Sequence, residues 1–321
     1  MTAADPGPGA GTVATVTANP AIDVSTSVES IVPERKLRCR TPVFEPGGGG
    51  VNVARAIRRL GGAVRAVFPS GGPSGRQLED LLAAEGVAFA AIPIAGRTRE
   101  NVNVQEESTG RQFRFVLPGP ELSPTESESI LDAVERLEPF PDFLVTSGSL
   151  PPGVPDDFPA RLARLVRRRG KRFVVDASGP PLARALEEGV FLCKASLREF
   201  REWAGEPESD EAAWRRRARR VVQDGRCEVL VISLGGAGAL WTSRDEQERL
   251  ASPVVPVASS VGAGDSMVGG IVFSLGRGRP LSEAVRFGVA AAAASVQNPG
   301  TRLFRREDAE RLAASVDVLV A

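Results

Sequence analysis

Histidine and tyrosine are both absent from the 321 residues, and cysteine occurs only at Cys39, Cys193 and Cys227. Without histidine there is no Ser-His-Asp or Cys-His nucleophile, no phosphohistidine and no histidine-ligated zinc. A general base must then be Asp, Glu, Lys or Cys. An odd cysteine count with no CxxC spacing argues against a disulfide framework or a thiolate metal site and suits a reducing cytoplasm. Net charge is missing too: 40 basic and 40 acidic residues cancel, so no overall field draws the chain to nucleic acid or to a membrane. The longest late apolar run, residues 288–296, falls far short of the ~20 residues that span a bilayer. Residues 1–11 are rich in Pro, Gly and Ala, with neither a basic start nor an apolar core. They read as a flexible tail and not as a signal peptide.

What is present suits a folded α/β protein. Hydrophobic residues make up 42% and charged residues 25%, enough to bury a sizeable core. A β-branched run at 12–18 reads as a buried strand, with a further short strand at 64–67 and a helix at 75–85. From residue 123 on, strand-like runs (143–146, 173–176, 191–193, 229–233) alternate with helical patterns (123–137, 158–169, 181–188, 211–224). Two helices rich in small residues, 265–275 and 282–297, follow. Such alternation implies a mostly parallel sheet with helices on both faces, and the length suits one large α/β domain or two smaller ones. Ser123-Pro124-Thr125-Glu126 is a plausible helix start. The basic runs at 164–172 and 215–220 adjoin apolar helix faces without interleaved aromatics. They read as solvated faces, not as a nucleic-acid surface.

Residues 25–44 and 98–116 lack a helical period. Both read as extended, the second as a hairpin turning at Ser108-Thr109-Gly110, and together they suggest a lid from about 23–45 and 98–117. Lys36 and Arg38 alternate with Leu37 and Cys39, which places both cations on one face of a strand. They either hold a sugar phosphate or are solvated surface charge. Arg99 is a third candidate for an anion.

Two stretches carry chemistry. Ser259-Ser260-Val261-Gly262-Ala263-Gly264-Asp265-Ser266 opens an apolar helix. The backbone N–H groups of Gly262, Ala263 and Gly264, above a helix end worth roughly half a positive charge, make a site for an anion such as phosphate. Asp265 in its mouth is either a base that takes a proton from an attacking hydroxyl or a plain helix cap. The other stretch runs from Phe44 through Gly47-Gly48-Gly49-Gly50 to Asn52 and a helix whose Val51, Ala54, Ile57 and Leu60 share a face, with Arg55, Arg58 and Arg59 pointing elsewhere. Four consecutive glycines suit a close approach of backbone to ligand better than a plain loop, and Asn52 suits sugar hydroxyls. Asp23, just beyond the first strand, sits where open α/β sheets gather ligand groups, although a turn aspartate reads the same way. No GxxxxGK[ST] and no helix-opening GxGxxG occurs.

Together, NPAID at 19–23, KLRCRTPVFEPGGGGVNVARAI at 36–57, Pro118-Gly119, SGSLPPG at 147–153, SLGG at 233–236, SVGAGDSMVGG at 260–270 and RFGVAA at 286–291 resemble the PfkB/ribokinase-type carbohydrate kinases. The resemblance spans about residues 12–302 and is nearest to the branch that phosphorylates fructose 6-phosphate with ATP. It implies a ribokinase-like αβα sandwich with a small β-sheet lid, as a single domain over 12–321, and a homodimer formed through the lids. Asp265 would be the base for the 1-hydroxyl, with Gly262, Ala263 and Gly264 around the transferring phosphoryl group. Asp23, Gly48 and Asn52 would hold the sugar. Lys36, Arg38, Arg99 and Ser149 would surround its 6-phosphate, one of the first two reaching a partner's site. Lys194, Ser196, Ser233, Gly235, Gly236, Gly238 and Asn298 would line the ATP, with Mg²⁺ on its phosphates and Glu199 acting on that metal through water. A K⁺ site is implied at Ser259, Val261, Asn298, Gly300 and Arg302. Family members acting on fructose 1-phosphate or tagatose 6-phosphate tend to carry Lys where Gly49 stands, so the resemblance favours fructose 6-phosphate. Three positions depart from the pattern: Ser196 for Asn, Ala195 for Pro and Ser260 for Thr. The first implies weaker Mg²⁺ positioning with activity retained. It is also the one feature that favours a non-catalytic sugar-phosphate or nucleotide-binding regulator.

Overall fold

A computed structural model describes residues 11–205 and 210–319. Most of the tail expected at 1–11 lies outside the described residues; Gly11 itself donates to the Gly276 carbonyl at 2.6 Å. In chain order the strands are β1 (Val13–Val16), β2 (Ala21–Val28), β3 (Val43–Gly47), β4 (Val64–Ser70), β5 (Ala88–Pro93), β6 (Arg99–Glu106) and β7 (Gln112–Phe115). There follow β8 (Phe143–Ser147), β9 (Arg172–Asp176), β10 (Val190–Ser196), β11 (Cys227–Ser233), β12 (Ala239–Thr242), β13 (Gln247–Leu250) and β14 (Val318–Leu319). The helices are α1 (Gly49–Arg59), α2 (Gly72–Ala84), α3 (Pro124–Glu135), α4 (Phe158–Arg168) and α5 (Gly179–Glu187). The chain continues with α6 (Leu197–Ala204), α7 (Glu211–Gln223), α8 (Ala263–Gly276), α9 (Leu281–Ser295) and α10 (Arg306–Ala313).

Among the described residues, one sheet has the order β14-β13-β12-β11-β10-β9-β8-β1-β4-β5. Its pairs from β5 to β11 are all parallel, and β12, β13 and β14 add antiparallel. Along β8, Phe143 and Val145 enter one apolar core while Leu144 enters the other, the period-two alternation of a strand covered on both faces. Helices α1, α8, α9 and α10 pack the first core; α3, α4, α5 and α7 pack the second. Small residues let α8 sit tightly against its neighbours. A Cβ on Gly269 would lie 2.7 Å from the Ala56 Cβ, and one on Gly288 2.8 Å from the Met267 carbonyl oxygen. The expected start of α3 is a full capping box, Ser123 with Glu126, worth about 1 kcal/mol.

A second, four-stranded sheet has the order β3-β2-β6-β7, with β2 and β6 parallel. It joins the two extended regions as expected, with one correction. Residues 31–42 form no strand, so Lys36 and Arg38 lie on an exposed connection and not on a strand face. Alternation of charged and apolar residues there reflects solvent exposure, with no partner strand to impose a pleat. Arg55 points off the apolar face of α1, as expected, and is nevertheless fully buried. Among the described residues no helix is long and apolar enough to cross a membrane.

Candidate active site

The chain leaves β1 to one side for β4 and β5 and returns to the other side for β8, β9 and β10. Ligand groups collect at such a switch point, beyond the strand C-termini. The end of β8 supplies Ser147, β9 supplies Asp176 and β10 supplies Lys194, while the N-termini of α1 and α8 point at the same place. Gly262 caps α8 in the left-handed conformation, φ 76°, and Asp265 lies in the first turn. Asp265 Oδ2 accepts from Asn52 Nδ2 at 3.0 Å, and Oδ1 lies 3.1 Å from the Ser147 hydroxyl. Asp265 is therefore not a plain cap: its side chain makes no capping bond and is held across the cleft by α1 and β8.

The electrostatics fit a base. Burial, followed by repulsion from Asp176, pushes the Asp265 carboxyl up to about 6, against the pull of Asn52, Lys194 and Ser147. That lies close to the operating pH, where a general base works best. Lys194 Nζ lies 3.1 Å from both Asp176 oxygens. Burial alone would lower the Lys194 pKa, but Asp176 and Asp265 outweigh it and hold the ammonium charged. A Cβ on Gly264 would lie 2.7 Å from Nζ, so glycine there brings a buried cation against the anion hole. Lys194, expected from the resemblance to line the nucleotide, thus sits beside Gly264 at the N-terminus of α8.

The glycine loop is a matter of clearance. A Cβ on Gly49 would stand 2.6 Å from the Ser147 carbonyl carbon and 2.7 Å from the Gly148 nitrogen. Gly48 has φ 104°, which side-chain-bearing residues rarely adopt. On the lid side Asp23 is buried and accepts from Asn101 Nδ2 at 2.9 Å, and burial raises its carboxyl above the ordinary range. Arg99 donates to the carbonyls of Leu117 and Asn19, both at 3.0 Å. Asn19 Nδ2 in turn donates to Ser149 Oγ at 3.2 Å. Buried Arg99 Nε and Asn19 Oδ1 have no partner, as expected where a polar ligand supplies one. Lys36 and Arg38 have no hydrogen bond or ion pair among the described residues.

At the other end of the cleft Ser196 and Ser233 are registered side by side on β10 and β11. A Cβ on Gly236 would meet nothing within 4 Å, so protein packing does not demand glycine there. Gly238 differs, since its φ is 99°. Ser196 and Glu199 form the capping box of α6. Ser196 N–H and Oγ both donate to Glu199 Oε2, at 2.8 and 2.7 Å. Burial would raise Glu199, but these bonds and Lys194 hold it below the usual carboxylate range. Ser259 and Val261 adjoin residue 296 through the Ser259 N–H to Val296 carbonyl bond at 3.1 Å. Asn298 Nδ2 donates to the Ala294 carbonyl at 3.1 Å. Gly300 faces the lid, where its Cβ would lie 2.8 Å from Ser25 Oγ and 3.2 Å from Glu45 Oε2. Arg302 lines a cleft beside the lid with Ser25 and Arg40. Asp176 and Arg55 were not singled out from sequence and carry no one-dimensional mark, whereas Ser147 was marked only as part of the strand-end SGSLPPG motif.

A parallel αβα sandwich, a β lid and a carboxylate beside a helix-capped anion hole define a sugar kinase of the ribokinase type. The chain belongs to the pfkB family of carbohydrate kinases, whose profile it matches over residues 14–308. It is 45% identical to the ATP-dependent 6-phosphofructokinase isozyme 2 of Mycobacterium tuberculosis, over 93% of this chain and 88% of that one. Identity to the isozyme 2 of Escherichia coli is 41%, over 94% and 97%. The crystal structure of Escherichia coli phosphofructokinase-2 in complex with potassium superimposes with a TM-score of 0.90 at 40% identity, covering 95% of this chain and 99% of that one. The same relative has been solved with substrates and products (TM-score 0.89, 39% identity, 94% and 98% covered) and in a tetrameric inhibited form (TM-score 0.89, 39% identity, 95% and 99% covered). The Escherichia coli 1-phosphofructokinase is 33% identical, over 95% of this chain and 97% of its own.

Proposed function

We propose that this chain transfers the γ-phosphoryl group of ATP to the 1-hydroxyl of fructose 6-phosphate. One observation carries the reading: Asp265, held by Asn52 and Ser147, faces the N-terminus of α8 with the Lys194 ammonium beside it. Asp265 takes the hydroxyl proton as the sugar oxygen attacks in line. The N–H groups of Gly262, Ala263 and Gly264, together with Lys194, take up the charge on the transferring group. Asp23, Gly48 and Asn52 hold the sugar, and Arg99 and Ser149 hold its 6-phosphate. The loop of Ser233, Gly235, Gly236 and Gly238, with Asn298, floors the nucleotide.

Mg²⁺ bound to the ATP phosphates neutralises their charge. Glu199 fits a water-mediated role toward it, because its Oε2 is engaged by Ser196 and its other oxygen is free of the capping box. K⁺, which the Escherichia coli relative binds, suits the backbone oxygens of the adjoining 259–261 and 298–302 segments. The lid presents Phe44, Phe115, Val116 and Leu117 to solvent, from 39% to 59% exposed, along with the open edges of β3 and β7. A homodimer through the lids would cover that surface and bring Lys36 or Arg38 to the neighbouring sugar phosphate. A cytoplasmic setting follows from the free thiols and the metabolite substrates.

The second reading is a neighbouring specificity, 1-phosphofructokinase or tagatose-6-phosphate kinase, favoured by the 33% identity to a 1-phosphofructokinase. Clearance at Gly49 supports the first reading, since a lysine there would displace the end of β8. The regulator reading loses its one support, because Ser196 has a role as a helix cap. ADP release with Mg²⁺-ATP and K⁺, compared as kcat/KM for fructose 6-phosphate, tagatose 6-phosphate and fructose 1-phosphate, tests the assignment. Preference for fructose 6-phosphate is expected. Preference for another substrate moves the function to that branch, and no turnover with any of them sinks the kinase reading.

A further inference from the structure

A guanidinium buried as completely as that of Arg55 is costly unless its donors are used. Nε and Nη2 fork onto the Glu85 carboxylate at 2.9 and 2.7 Å. Nη1 points the other way, to the Pro46 carbonyl at 2.9 Å, Asn52 Oδ1 at 3.2 Å and the Thr301 carbonyl at 3.4 Å. Guanidinium only donates, so the Asn52 atom that faces it is the oxygen. The NH₂ end of the amide is then turned to Asp265, where Nδ2 donates to Oδ2 at 3.0 Å. Glu85 thus orients the guanidinium, the guanidinium orients the amide, and the amide orients the carboxylate. A second branch joins the same cluster to the lid. Glu45 on β3 lies 3.9 Å from Arg55 Nη2 and accepts from the Thr301 N–H and hydroxyl at 3.1 and 2.9 Å.

We propose that Arg55 is a positioning residue for phosphoryl transfer: it locks the Asn52 amide so that Asn52 donates to Asp265, and it acts on the reaction only through that amide. The inference rests on the kinase reading above. With the lock released, the amide is free to turn its oxygen toward Asp265, and the ionised carboxylate loses a donor. That loss favours the protonated carboxyl and moves the acid limb of activity to higher pH. Other groups facing Asp265 are Ser147 from β8, Asp176 from β9 and Lys194 from β10. Those around Arg55 are Asp23 from β2, Glu45 from β3, Arg59 from α1 and Glu85 at the end of α2. None of them replaces the Asn52 donor.

The test is the pH profile of kcat/KM for fructose 6-phosphate in the wild type, Arg55→Lys, Asn52→Ala, the double variant and Glu85→Gln. Lysine keeps the charge but cannot fork to Glu85 and Asn52 together. Arg55→Lys is expected to lower kcat/KM about tenfold and raise the acid midpoint by about half to one pH unit, with the KM for ATP unchanged. In the Asn52→Ala background the same change should give no further shift. Glu85→Gln should give a smaller shift in the same direction, which keeps the test standing if Arg55→Lys does not fold. An acid limb that overlays the wild type in both Arg55→Lys and Glu85→Gln overturns the role, as does a shift that adds fully to that of Asn52→Ala. Wild-type protein that turns over no sugar phosphate overturns the kinase reading and this role with it. Wild-type turnover with an unmoved limb overturns this role alone.

Discussion

At the end of the large sheet, Asp265, Asn52, Ser147, Asp176 and Lys194 are joined by contacts of 3.0–3.4 Å. In the lid, Lys36 and Arg38 have no partner among the described residues, and Phe115, Val116 and Leu117 stand about half exposed. The first cluster is closed by bonds within the chain, whereas the second is open to solvent. Several bonds tie the two regions together, among them Arg55 Nη1 to the Pro46 carbonyl and Arg99 Nη2 to the Asn19 carbonyl. Gln112 Nε2 donates to the Ala258 carbonyl at 3.1 Å, just before the anion hole, and Glu45 accepts from Thr301.

The largest break in that comparison comes from Asp265→Asn. Loss of the base should cut kcat about 10³-fold while ATP binding, followed by calorimetry, persists. Stability should move the other way. A carboxyl raised to about 6 binds its proton more tightly folded than unfolded, so its contribution grows as pH falls from 6 toward 4 and opposes folding at pH 7. The amide should therefore melt no lower than the wild type at pH 7. A smaller effect confined to the lid is expected from Lys36→Ala: about tenfold in the KM for fructose 6-phosphate, with kcat retained. A fall in kcat with unchanged KM would erase the division between the regions. The smallest effect belongs to Ser196→Ala, which removes the α6 cap. A loss of about 1 kcal/mol in denaturant unfolding is expected. The Mg²⁺ requirement of that variant shows whether Ser196 also reaches the metal through Glu199.

The centre was more legible in sequence than the lid, for physical reasons. Gly262 to Asp265 and Gly47 to Asn52 need small residues in a row, and close approach leaves that mark whatever surrounds it. Absent histidine left Asp265 with few rivals. Asp176 carries no such mark, because a strand-end aspartate that pairs with a buried lysine reads the same as a turn aspartate. The burial of Arg55 did not show, because helical periodicity reports the apolar face only, and a guanidinium buried on a polar cluster falls off that face. Residues 31–42 mimicked a strand by chance alternation. β5, with its alanines, and the short β12, β13 and β14 carry too few β-branched residues in a row to stand out, and α10 is amphipathic over barely two turns.

The most direct test of the central claim is the pH dependence of kcat/KM for fructose 6-phosphate at saturating Mg²⁺-ATP. A carboxylate base raised by burial and Asp176 predicts an acid limb with its midpoint near 6, set by a single proton. Activity that stays flat well below that pH, or falls only near the ordinary aspartate value of about 4, would contradict Asp265 as the tuned base.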